Sequence, residues 1–300
     1  MNGHDGSVRS MATTRIDGRP HAVTGGDDGL VRVWDLTSGR QAGESLTGHT
    51  SAVWSVATTM IDGQPHAVSG SPDQTARVWN LTTGQQAGEP LTGHEDVVEV
   101  VAAIAIDGHP HAITSGADYT IRVWDLTLGR QVGGPVDVYG DWVQSVAPVM
   151  IDGHPHVVAV SDKGMVRVWE LNTGEQVVAL ATGTTGWLRS VAAPVIDGRP
   201  HAVTGGDDGS VRVWDLTSGE QVSEPLTGHA GRVWSVATTV IDGRPYAVSG
   251  GNDGTVRVWN LVTGKQVGRE SVFPSPVRAV AVAAEGHIVV GFGHEVGILQ

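Results

Sequence analysis

The sequence predicts an all-β chain in which one four-stranded antiparallel unit is repeated end to end. Three observations carry this. Six tryptophans, Trp34, Trp79, Trp124, Trp169, Trp214 and Trp259, stand 45 residues apart every time. The text around them repeats, from VRVWDLTSG through ARVWNLTTG to VRVWNLVTG, and residues 16–41 and 196–221 differ only at Leu30/Ser210 and Arg40/Glu220. No segment shows a helical apolar period, whereas turn residues recur between short β-branched runs. Self-similarity at this period leaves no room for linkers, so 1–300 reads as one repeat domain.

Within a unit the strands follow in order. GHTSAVWSVATT leaves a Gly-His turn and becomes a first strand, and IDGQPHAVSG crosses a turn into a second, fully apolar one. DGLVRVWDL is a third, with Val31 and Val33 alternating as a pleated surface favours. RQAGESL is a weaker, more polar fourth, suited to an outer edge. Asp-Gly and Thr-Ser-Gly groups supply the turn geometry between them. Four-stranded units of this length indicate the blades of a β-propeller.

A shortened seventh unit follows at about 274–300. It carries a first strand near Val277–Ala283, a second near His287–Gly291 and a third near Glu295–Leu299, without Trp or Gly-His. The expectation is a seven-bladed propeller whose last blade has three strands. Met1 stands where an outer strand should end, so an upstream extension, or self-association through the open edge of blade seven, is also expected.

Composition narrows the function classes. With 32 acidic and 19 basic residues the net charge is −13, and no Lys/Arg cluster offsets it, which argues against nucleic acid. There is no cysteine, no signal-like segment and no apolar run long enough for a bilayer, so the expected setting is cytoplasmic, without a membrane.

The Gly-His and Trp-Asp dipeptides at this spacing resemble the WD-repeat β-propellers along the whole chain, in the bacterial form with near-identical internal repeats. The resemblance implies a buried hydrogen-bonded set in each blade, linking histidine, a second-strand Ser/Thr, a turn Asp and the Trp. By position it comprises His4, Thr24, Asp28 and Trp34; His49, Ser69, Asp73 and Trp79; His94, Thr114, Asp118 and Trp124; and His229, Ser249, Asp253 and Trp259. The fifth unit has Thr184 for the histidine, with Thr204, Asp208 and Trp214. The fourth departs most, with Tyr139, Ala159 and Lys163 around Trp169, and looser turns are expected there.

On paper these sets resemble hydrolase triads, but recurrence in four units favours a structural role. A second series, His21, His66, His111, His156 and His201, opens the second strand; neighbouring copies are too far apart to share a metal, so no metal or cofactor is expected. GFGHEVG lacks the strand–helix context of a dinucleotide site.

The copies disagree mainly at the start of the first strand. One place reads Arg9, Trp54, Glu99, Gln144, Arg189, Trp234 and Arg278; two residues earlier stand Trp142, Trp187 and Arg232. A place that accepts Arg, Glu, Gln and Trp is not apolar core, and Trp and Arg are the usual interface anchors. The resemblance puts this segment at the channel mouth, where partners dock. The partner-binding residues expected are therefore Arg9, Trp54, Trp142, Trp187, Arg189, Arg232, Trp234 and Arg278, facing an acidic group of Glu95, Asp96, Glu99 and Asp141. The expected function is a non-enzymatic scaffold for a protein or peptide, acting alone or as the recognition part of a larger protein. The alternative is a metal-dependent lyase or hydrolase in the channel.

Overall fold

The computed structural model describes residues 3–283 and 286–299; Met1, on which the expectation about the chain start rests, lies outside them. The described residues form strands and no helix, so no helix is long and apolar enough to cross a membrane. The fold class is a seven-bladed β-propeller, with each blade an antiparallel sheet taken in chain order. Blade one shows the pattern, with strands Val8–Ile16, Arg19–Gly26, Val31–Asp35 and Arg40–Gln41. The seventh blade has three strands, Val277–Val282, Ile288–Phe292 and Glu295–Leu299.

The local reasons recur from blade to blade. The first hairpin turns on two residues with positive φ, Asp17 at 50° and Gly18 at 75°, the pairing that a two-residue turn between twisted strands requires. The second strand is buried from His21 to Gly26. The third strand ends in Asp35, whose Oδ1 accepts the backbone N–H groups of Thr37 (2.7 Å) and Ser38 (3.1 Å). Asn80 and Asn260 do the same, which explains why Asp and Asn exchange after the Trp.

The fourth strand is shorter than RQAGESL suggests. Only Arg40–Gln41 pairs, and the edge returns at a single bridge between Val31 and Leu46. Gly43, at φ 74°, turns the intervening residues outward, and Gln41 Nε2 closes the excursion on Gly43 O. Blade three keeps the glycine, Gly133 at φ 67°, with Gln131 Nε2 on its carbonyl oxygen, but its outer strand resumes after a register shift and runs Arg130–Asp137. Blade four has Val178 at that place and an outer strand Gln176–Ala181.

Contacts divide the chain into two compact units, residues 1–140 with 283–300, and residues 141–282. Within each, a blade buries its Trp against the blade before it. Trp79 joins Val23, Val31 and Val33 of blade one; Trp214 joins Val158, Val166 and Val168 of blade four. First-strand serines link the same neighbours: Ser10 Oγ accepts the Val56 N–H at 3.0 Å, and Ser190 Oγ accepts that of Val236 at 3.0 Å.

Candidate partner-binding face

The residue that varies most between blades sits on a backbone irregularity. In blade one Val8 and Ser10 face Gly26 and Gly25, and Arg9 faces nothing. The same skip occurs at Glu99, Gln144, Arg189 and Trp234. Such a bulge leaves one residue outside the pleat and re-aims its side chain. A second-strand turn residue then anchors several of them: Arg9 Nε on Asp27 at 2.6 Å, Arg189 Nε on Asp207 at 2.7 Å, and Trp234 Nε1 on Asn252 at 3.2 Å.

Residues 141–282 bring six of the expected residues together. The rings of Trp142 and Trp187 lie 5.5 Å apart at 54°. The Arg189 guanidinium stands 4.4 Å from the Trp187 ring centroid and 5.0 Å from that of Trp234. Arg278 and Arg232 approach the Trp234 ring to 5.0 and 5.7 Å. Asp207 accepts from Arg189 and forms an ion pair with Arg232, Nε to Oδ1 at 3.3 Å. The result is one ladder of alternating indole and guanidinium groups held by a shared carboxylate. Trp142 is 38% exposed, and Trp187, Arg189, Trp234 and Arg278 are half-buried. Cation–π contacts of this kind stabilise by about 0.5–1 kcal/mol each at exposed sites. In the other unit Arg9 is exposed and Trp54 half-buried, with the Trp54 N–H donating to Gly70 O.

Asp141 requires a correction. Grouped by sequence with the surface acids, it is instead 2% exposed. Its carboxylate binds Lys163 Nζ at 2.8 Å and Arg167 Nε at 2.9 Å. Glu95 and Asp96 are exposed.

The buried sets have the following geometry. His4 Nδ1 lies 2.8 Å from Asp28, His4 Nε2 2.8 Å from Thr24 Oγ1, and Trp34 Nε1 donates to that same oxygen at 2.8 Å. With Nδ1 protonated, every polar atom is satisfied: Trp N–H to hydroxyl, hydroxyl to Nε2, Nδ1–H to carboxylate. His49 with Ser69, His94 with Thr114 and His229 with Ser249 repeat the arrangement at 2.7–2.8 Å. Burial pushes all four histidines below their usual range despite the neighbouring carboxylates. Burial also opposes ionisation of Asp253, but the Ala230 N–H, His229 and Thr255 outweigh it and hold its pKa at about 2. Each nitrogen is spent inside its blade, so the arrangement fixes a turn and has no free nucleophile.

Blade four inverts this chemistry. Lys163 stands where the others have Asp, Asp141 supplies the carboxylate, and Tyr139 is 63% exposed. Ala159 has no side-chain oxygen, and the buried Trp169 Nε1 has no hydrogen-bond partner among the described residues. In blade five Trp214 Nε1 still reaches Thr204 Oγ1 at 3.0 Å, while Thr184 bonds to Thr182 at 2.8 Å. The second histidine series is spent differently: Nδ1 of His21, His66, His111, His156 and His201 each meets the carbonyl oxygen two residues earlier at 2.9 Å. Among the described residues no group of three or more His, Asp or Glu side chains is placed to hold a metal ion.

A family model described as "WD domain, G-beta repeat" matches residues 1–35, 41–80, 85–125, 175–215 and 219–260, more than half of the chain. The first three strands of blade four, with its inverted charges, fall outside those matches. A stretch of 42 residues is 66% identical to the ribosome biogenesis protein erb1 of Neurospora crassa, covering 14% of this chain and 5% of that protein. That relative is fungal and lends no support to a bacterial type.

Proposed function

Because the chain belongs to the WD-repeat family, we infer that it is a non-enzymatic scaffold that binds a protein or peptide. We place the docking site on the ladder of Trp142, Trp187, Arg189, Arg232, Trp234 and Arg278; Arg9 and Trp54 hold the equivalent place in blades of the other unit and are proposed as contact residues there in their own right. One observation carries this reading: the ladder collects indole and guanidinium groups at solvent, where packing of the blades does not require them. Such side chains dominate binding energy at interfaces because they bring large area and directional contacts together. The match to the fungal ribosome biogenesis protein is less than one repeat long, so it supports use of the repeat as a binding scaffold and carries no assignment to that process.

The test is a pull-down with the purified chain against variants Trp142→Ala, Trp187→Ala and Trp234→Ala, beside Trp214→Ala as the buried control. The three ladder variants are expected to fold and lose the partner, with a stability cost of at most about 3 kcal/mol for the three cation–π contacts of Trp234 and less for the other two. Trp214→Ala, which opens a core cavity, loses about 3–5 kcal/mol. Retention of the same partner by all three surface variants would remove the proposal.

A further inference from the structure

The second histidine series leads to a different surface, independent of the ladder. His21 lines a cleft of about 520 Å³ between blades one and two, and His66 lines one of about 390 Å³ between blades two and three. Both rings are 6% exposed. Their Nδ1 atoms are committed to Arg19 O and Gln64 O, and their Nε2 atoms form no hydrogen bond among the described residues. A neutral ring with Nδ1 donating presents Nε2 as an acceptor only. One side of each cleft is apolar, with Ile16, Val33, Leu46 and Leu81 in the first and Ile61, Val78, Leu91 and Leu126 in the second, and polar residues such as Thr82 and Thr127 complete the lining. At the rim of each stands one exposed carboxylate, Glu44 or Glu89, on the residues that Gly43 and Gly88 turn outward.

We propose that these two clefts are paired sites for lysine side chains of an extended peptide from another protein. Each cleft offers an apolar wall for a methylene stem, ending at an uncharged acceptor and a carboxylate, which is the complement of an alkylammonium group. An anionic or purely apolar side chain lacks that complement. The chain's net charge of −13 draws a cationic peptide toward it. The two sites occupy equivalent places in consecutive blades, which suits a segment with two lysines.

The probe is a blocked ten-residue peptide of alternating lysine and alanine, titrated against 15N-labelled protein while the Nε2 resonances of His21 and His66 are followed. Both are expected to shift together. Glu44→Gln with Glu89→Gln should weaken binding about fivefold or more, the scale of two lost exposed charge contacts. Asp5→Asn with Glu95→Gln, the same change in net charge elsewhere, should leave it within about twofold of the parent. Three results would overturn the proposal: equal weakening in both double variants, equal binding of a peptide with norleucine for lysine, or Nε2 resonances that do not move.

Discussion

Replacing Thr24 by Val removes one buried hydroxyl and little else, because the two side chains have nearly the same shape. Thr24 Oγ1 accepts from Trp34 Nε1 and bonds to His4 Nε2, both at 2.8 Å, and the residue is fully buried. The substitution therefore strands two buried polar groups, an indole N–H and an imidazole nitrogen. At about 1–3 kcal/mol for each unsatisfied group, the expected loss is about 2–6 kcal/mol. Blade five supplies an internal control, since residues 196–221 copy residues 16–41 at all but two places. There Thr204 accepts from Trp214 at 3.0 Å and meets no histidine, because Thr184 has replaced it. Thr204→Val should strand one group and cost about half as much. Urea unfolding followed by tryptophan fluorescence measures both on one scale. Equal losses in the two variants would show that the bond to histidine contributes nothing, and the account of the buried sets would fail with it.

Other outcomes follow from the same chemistry. Ala159→Ser offers the orphaned Trp169 Nε1 an acceptor, and should raise stability in the same urea assay by about 0.5–1.5 kcal/mol. Acid should weaken the fold early. The four buried histidines titrate below the ordinary value of 6.5, so below that pH the unfolded chain binds more protons than the folded one. Their contribution is complete above about pH 6.5 and declines as pH falls toward the folded values, at up to about 1.4 kcal/mol per pH unit for each histidine. The carboxylates held low, such as Asp253 at about 2, add a second loss below about pH 4. Urea midpoints at pH 7.5, 6.5 and 5.5 check this; a flat profile would contradict it.

The period made the strands legible, because a tryptophan every 45 residues fixes where each third strand falls. Val277–Val282, Ile288–Phe292 and Glu295–Leu299 stand within a residue or two of the positions read for the short last unit. What the sequence hid was three-dimensional exchange of roles. Nothing in the spacing says that Asp141, two residues after the histidine place, enters the interior and meets a lysine where an aspartate is usual. The outer strand was overestimated for a similar reason, since in blade one Gly43 and the two residues after it leave the edge before Leu46 returns to it. The proposed binding-face residues stood out by their variability, but the bulge that explains it could not be read, because a skipped residue leaves no mark in an alternating pattern. The serines that join blades were also missed, although their recurrence at Ser10, Ser55, Ser145, Ser190 and Ser235 was a readable signal.

The skipped residue at the start of five of the first strands separates two kinds of inheritance. A blade copied whole brings its turns, its core and its links to its neighbours, and all of these resist change. The bulged position has no opposing residue to satisfy. Duplication can therefore multiply the scaffold faithfully while Arg9, Glu99, Gln144, Arg189 and Trp234 diverge one at a time. A library randomised at these five positions should yield a high fraction of folded members, and so turn a repetitive chain into a source of new specificities.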